Sequence, residues 1–267
     1  MIGPICTVEW VPDPVDPGDE GGECVYMCDG PGGGSGNGSG PSQDPCDQKP
    51  KVNNKASTSY ISNQNNTILA NTISTGQEHG ANQRLNSMSN LTDFKSQPVT
   101  SGTTSAWTPG FTWNQTDGFT IGFSHGHPGG TGPSPADVFI LVAYLNSGMN
   151  GQQEAQRNFY KENASVTTMT QNGSYIVRIT DWPAVQSIIS SSFSTAPQKA
   201  MFNASYQTKA ITYLTNNPSS NVGDAGTFAL LNLLPNAITV FRAPVNSSSY
   251  VPLMINTSNE ITVKPCP

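Results

Sequence analysis

The stretch "DGFTIGFSHGHPGGTGPSPADVFILVAYLNSG", residues 117–148, joins a strand pattern to a helix pattern through a glycine-rich loop. Phe119, Ile121, Phe123, His125 and His127 share one parity. Successive side chains of a strand alternate between its two faces, so residues of one parity lie on one face. We therefore predict a strand whose apolar face ends in two imidazoles that point the same way.

The second half of the stretch carries the start and stop signals of a helix. Ser134 suits the N-cap, Pro135 suits the first helical position, and Asp137 at the third position suits both capping and the helix dipole. An apolar stripe follows, formed by Val138, Leu141, Val142 and Leu145. Gly148 is a suitable stop.

The remaining patterns extend this unit into an α/β domain over residues 51–267. We predict a helix or irregular segment at 61–75, a strand at 81–88, and a hairpin at 165–180 with Asn172 and Gly173 as its two-residue loop. Helices are expected at 182–193, 196–217 and 223–234, and short antiparallel strands at 237–245, 250–255 and 260–266. The fold class predicted is α/β, a mixed sheet flanked by helices with a C-terminal α+β extension.

Composition excludes several classes of function. Charged residues make up 11% of the 267 residues, which is low for a soluble domain and is typical of an exposed or exported protein. The net charge of -6 and the absence of any Lys/Arg cluster argue against nucleic-acid binding. No apolar run approaches the length of a transmembrane helix.

Residues 1–50 are rich in Gly, Pro and Ser and are predicted to be a flexible tether. The first residues lack the features of a signal peptide, so an extracellular or cell-surface location implies another export route or a start further upstream. Cysteines occur at positions 6, 24, 28, 46 and 266. Cys46 and Cys266 flank the domain, and a disulfide between them would fit an oxidising compartment.

The two histidines of the strand suggest a hydrolytic metal site. Such a site needs three protein ligands, an open position for water, and a carboxylate that takes a proton. His125, His127 and Asp137 are the candidate ligands. For the base we predict Glu78, because Glu154 and Glu162 lie in a polar helical stretch and are expected to be solvated.

The order of Glu78, "HGHP" and "SPAD" resembles the signature of the JAMM (MPN-plus) metalloproteases. The resemblance implies a JAMM/cytidine-deaminase-like core and a zinc-dependent peptidase or isopeptidase that acts on a peptide or protein substrate. It implies that His125, His127 and Asp137 bind zinc, that Glu78 is the general base, and that Ser134 stabilises the tetrahedral intermediate. The loop before Ser134 is one residue shorter than is usual in the family, and polar residues follow Glu78.

Simpler interpretations stay open. The histidines fit an exposed loop pair, Ser134 and Asp137 fit a helix cap alone, and Glu78 fits a surface carboxylate. His79 is expected to be exposed and not a ligand. Iron, manganese or cobalt are alternatives to zinc. The alternative function is an inactive, tethered binding module that keeps the fold and the metal.

Overall fold

The computed structural model describes residues 44–267, which form a mixed sheet of nine strands flanked by seven α-helices. This confirms the α/β class. The helices are α1 (Pro45–Ala56), α2 (Ser59–Thr75), α3 (Pro135–Ala143), α4 (Glu154–Asn163), α5 (Trp182–Ser192), α6 (Ala196–Asn216) and α7 (Val222–Leu233). The strands are β1 (His79–Leu85), β2 (Thr100–Ser101), β3 (Trp113–Asn114), β4 (Gly118–Gly126), β5 (Ser165–Thr170), β6 (Gly173–Ile179), β7 (Ile238–Ala243), β8 (Val251–Ile255) and β9 (Ile261–Val263).

The sheet has the strand order β2-β1-β4-β5-β6-β7-β8-β9, with β3 paired to β4. Within residues 44–267, only β4 and β5 run parallel, and every other strand pair is antiparallel. A parallel pair needs a crossover connection. Here α3, a π-helical turn at Tyr144–Gly148 and α4 form it. The carboxyl end of β4 is therefore followed directly by the loop that leads into α3.

The helices cover the sheet, and the buried apolar side chains between them form separate clusters. From α2, Ile68 and Leu69 pack with Ala81 of β1 and Met169 of β5. The apolar stripe of α3 belongs to the largest cluster, together with Tyr175 and Val177 of β6. Burying such side chains stabilises the fold by roughly 1.5–3 kcal/mol each. The end of β4 is thus held between packed layers.

The strand and helix predicted from residues 117–148 are both present, with two differences. The helix ends as α3 at Ala143, and the last turn before the predicted stop at Gly148 is π-helical. β4 contains an extra residue, because Gln83 pairs with Gly122 while Arg84 pairs with Thr120. The alternation predicted from Phe119 to His127 is therefore interrupted at Ile121. It holds from Phe123 onward, where the ring of His125 lies 5.5 Å from that of Phe123 and 4.6 Å from that of His127.

The hairpin prediction is correct in its strands but shifted by one residue in its loop. Thr170 pairs with Gly173, so the two loop residues are Gln171 and Asn172. Asn172 does not adopt the positive φ that an Asn-Gly hairpin loop requires. Gly173 is instead the first residue of β6, with a φ of 147°.

The two ends of the described chain are joined. Cys46 and Cys266 form a disulfide, as the sequence suggested. α1 begins at Pro45, inside the segment predicted as a tether. The rest of that segment, residues 1–43, and its three cysteines lie outside the described residues. Within residues 44–267, no helix combines the length and the apolar character that crossing a bilayer demands.

Candidate metal centre

The pair of histidines at the end of β4 is held in place by the glycine between them. A Cβ on Gly126 would lie 2.2 Å from Oγ1 of Thr72 in α2, so only glycine fits there. The side-chain position of Gly126 therefore lies on the face of the sheet that α2 covers. Because side chains alternate along a strand, His125 and His127 point to the opposite face. Both are buried, at 2% and 4% exposure.

Glu78 reaches the same place from the neighbouring strand. Gly80 pairs with His125 in the antiparallel ladder of β1 and β4, which puts Glu78 opposite His127. Two short backbone hydrogen bonds fix its main chain: its N–H donates to Thr103, and its carbonyl accepts from Gly102. Its side chain is 4% exposed, with Oε1 4.0 Å from Nε2 of His127.

Asp137 is aimed at the histidines by the cap of α3. One carboxylate oxygen, Oδ2, accepts from the backbone N–H of Ser134 at 2.7 Å and from its hydroxyl at 3.0 Å. The Asp137 N–H in turn donates to the Ser134 hydroxyl, which completes a capping box. The other oxygen, Oδ1, lies 3.2 Å from Nε2 of His125. The predicted cap is therefore present, and it orients the carboxylate.

The electrostatics of the cluster follow from its burial. Nε2 of His125 lies 2.7 Å from Nε2 of His127, a contact that requires a proton between the two nitrogens. Burial alone would lower the pKa of His125, but the charge of Asp137 and their hydrogen bond raise it. Burial and the positive charge of His125 lower the pKa of His127. Burial would raise the pKa of Asp137, yet the two imidazoles, His125 foremost, hold it well below its usual value.

His127 is oriented by the loop that follows it. Its Nδ1 lies 3.1 Å from the carbonyl oxygen of Thr131 and 3.0 Å from the Thr131 hydroxyl. A carbonyl only accepts, so Nδ1 carries a hydrogen and Nε2 is left with its lone pair toward the cluster. Outer hydrogen bonds of this kind are typical of metal-binding histidines. Nδ1 of His125 is buried without a hydrogen-bond partner, beside the stacked ring of Trp107.

The cluster fits a metal ion in donor type, and one of its distances matches the spacing of zinc ligands. Glu78, His125 and His127 each offer a ligand atom within 4.8 Å of one another, and Asp137 adds a second carboxylate. Tetrahedral zinc, with bonds of about 2.0–2.1 Å, separates its ligand atoms by roughly 3.3–3.4 Å. The 3.2 Å between Asp137 Oδ1 and His125 Nε2 meets this spacing. The distances from His127 Nε2 to Asp137 Oδ2, 3.9 Å, and to Glu78 Oε1, 4.0 Å, exceed it, and the 2.7 Å between the two Nε2 atoms falls short of it. A cation can take the place of the proton shared by the imidazoles.

The structure thus brings together four of the five predicted site residues, namely Glu78, His125, His127 and Asp137. Ser134 lies beside them, but its hydroxyl is engaged by Asp137. Glu154 and Glu162 are exposed, as expected.

The expected exposure of His79 is wrong. Its side chain is buried, with Nδ1 3.2 Å from the Gln77 carbonyl, because its strand is covered on both faces. It is not part of the described metal cluster.

Two residues of the site were not predicted. Thr131 lies in the glycine-rich loop, where the one sequence signal for its role is a hydroxyl four residues after a histidine. Trp107 comes from a loop without periodicity, and its ring stacks on His125 at 6.4 Å. A Cβ on Gly80 would collide with that ring, so a glycine in β1 allows the tryptophan to cover the site. No family model, curated protein or solved structure matches this chain.

Proposed function

We propose that this protein is a zinc-dependent hydrolase of the JAMM type that cleaves a peptide or isopeptide bond. The observation that carries the proposal is the buried cluster of Glu78, His125 and His127 with Asp137 beside it. In such a site the metal supplies a Lewis acid that polarises the scissile carbonyl and lowers the pKa of water. The chain's own residues supply the rest of the chemistry.

His125, His127 and Asp137 are the proposed ligands. Thr131 fixes the tautomer of His127, and the capping box fixes the rotamer of Asp137, so two of the three ligands are oriented before any ion binds. Such preorganisation is what hydrolytic metal sites require of the protein.

Glu78 is the proposed general base and later the general acid. Its Oε1 lies 4.0 Å from Nε2 of His127, next to the proposed ligands, and it lacks the 3.2 Å contact with an imidazole that Asp137 makes. A carboxylate there can take a proton from the attacking water and deliver it to the leaving amine. The buried position excludes bulk water, which strengthens its interaction with the reacting groups.

Ser134 is proposed to act first as a positioning residue. Its hydroxyl donates to Asp137, so a role in stabilising the oxyanion requires that hydrogen bond to be released. This engagement favours the second candidate function, a tethered binding module that keeps the metal and lacks turnover. The disulfide of the described domain is compatible with an extracellular setting for either function.

The experiment is a hydrolysis assay on the full chain loaded with zinc, using quenched fluorescent peptides and lysine-linked isopeptides. We expect cleavage by the wild type and a loss of about 10²–10⁴-fold in Glu78→Gln, the typical contribution of a general base. Glu154→Gln, at an exposed glutamate, is the matched control and should keep full activity.

Cleavage that survives Glu78→Gln would show that Glu78 is not the base. Stoichiometric zinc without cleavage of any substrate would replace the hydrolase with the binding module.

A further inference from the structure

A cavity lies between α1 and the sheet, away from the candidate metal cluster. Its volume is roughly 170 Å³. The charged and apolar side chains that line it include Lys51, Val52, Lys55, Ile121, Ile176 and Arg178. Three of these are cations, and none of the residues lining the cavity is acidic. A positively charged cavity of this kind is suited to an anion.

Two of the cations meet at one point of the sheet. Nζ of Lys55 donates to the Ser165 hydroxyl at 2.7 Å. Val166 pairs with Val177 across β5 and β6, so the next position of the antiparallel ladder puts Ser165 beside Arg178. Lys55 therefore reaches the cavity from α1 and Arg178 reaches it from β6, and their charged groups lie close to one another.

This arrangement is electrostatically costly without an anion. Burial and the nearby charge of Arg178 lower the pKa of Lys55 to about 7. Burial also lowers the pKa of Arg178, to about 10, although the charge of Glu162 opposes that shift. Arg178 donates to the backbone carbonyl of Glu162, whose carboxylate is exposed. A bound anion would stabilise both cations and raise the pKa of Lys55.

The apolar residues that line the cavity indicate which kind of anion would fit it. Val52, Leu91, Ile121 and Ile176 form an apolar wall. Ile176 and Arg178 are two residues apart in β6, so they share one face of the sheet, with the apolar side chain next to the charged one. A phosphate would leave this wall without contacts, whereas a carboxylate with a short aliphatic chain would cover it.

We propose that this cavity binds a small organic monocarboxylate. Its carboxylate lies between Lys55 and Arg178, and its aliphatic chain lies against Ile121 and Ile176. None of the lining residues belongs to the metal cluster, so this site stands or falls independently of the proposed hydrolysis.

The test is calorimetric titration of the full chain with butyrate and hexanoate, beside hexan-1-ol and inorganic phosphate. We expect saturable binding of hexanoate, weaker binding of butyrate, and no binding of the alcohol. Lys55→Met and Arg178→Met should each weaken hexanoate binding about tenfold or more, because each removes a hydrogen bond to a charged group. Lys209→Met, in a separate groove beside α6, is the matched control and should bind like the wild type.

Equal affinity in Lys55→Met and the wild type would overturn the proposal, as would saturable phosphate binding without hexanoate binding. If either methionine variant fails to fold, NMR of the wild type decides. The Lys55 side-chain resonance should move with added hexanoate and report a higher pKa; an unchanged resonance would refute the site.

Discussion

Replacing each of the two carboxylates of the candidate metal centre with its amide tests the ligand assignment. Asp137→Asn and Glu78→Gln each remove a charge and keep the side-chain shape. We expect Asp137→Asn to lose zinc and Glu78→Gln to retain it. The reason is that both carboxylates lie about equally far from Nε2 of His127, Asp137 at 3.9 Å and Glu78 at 4.0 Å, but Asp137 also contacts Nε2 of His125 at 3.2 Å.

The size of the effect follows from these contacts. Removing a residue that only orients a ligand costs about 10–100-fold in metal affinity, so removing a ligand should cost more than roughly 100-fold. Asp137→Asn also loses a hydrogen bond between charged groups, which should lower the free energy of unfolding by about 1.5–3 kcal/mol. Glu78→Gln should leave zinc affinity within about tenfold of the wild type, the smallest effect expected for a group outside the ligand set.

The assay is zinc titration against a competing chelator, with elemental mass spectrometry of the dialysed proteins and circular dichroism as the check on folding. His125→Ala is the positive control for loss of metal. Retention of zinc by Asp137→Asn together with its loss in Glu78→Gln would refute the assignment. The ligands would then be Glu78, His125 and His127, and the base would have to be Asp137.

Three further predictions concern groups around the site. Thr131→Val should weaken zinc binding about 10-fold in the same titration, since it removes one of the two oxygens at Nδ1 of His127 and leaves the backbone carbonyl; an unchanged affinity would show that the carbonyl suffices. Ser134→Ala should lower the free energy of unfolding by about 1 kcal/mol in urea, the usual cost of losing an N-cap; a large loss of turnover with normal zinc affinity would indicate the oxyanion role instead. Replacing Cys46 and Cys266 with serine should cost up to about 5 kcal/mol of unfolding free energy by loop entropy, given a sequence separation of 220, and an unchanged urea midpoint would contradict it.

The parts of the structure that could be predicted from sequence are those governed by local rules. The cap at Ser134, the first-turn proline and the apolar stripe of α3 depend on neighbours within one or two turns, and the structure has all of them. The pairing of Cys46 with Cys266 followed from their positions at the two ends of the domain. The two imidazoles on one strand face needed only the alternation of a strand.

The predictions that were wrong or missing concern features that depend on contacts between residues far apart in the sequence. The extra residue Ile121 in β4 depends on how β1 and β5 approach Gly122, where a Cβ would lie 1.9 Å from the Ser165 carbonyl oxygen. No periodicity in the strand itself carries that information. Burial of His79 likewise depends on the layers that cover β1, and the stacking of Trp107 on His125 depends on a long loop.

The energetic cost of burying Glu78, His125, His127 and Asp137 together is itself an argument that the candidate metal centre has a function. Only 11% of this chain is charged, yet two carboxylates and two imidazoles are buried in one place, each less than a tenth exposed. Burying ionisable groups carries a desolvation penalty of several kcal/mol per ion, and apolar residues of similar volume often stabilise a core better. A chain that uses charge so sparingly gains no stability from this arrangement that apolar side chains could not provide. Binding a cation does explain it, because an ion bound by Asp137 and both Nε2 atoms would also offset the charge of Glu78 beside them.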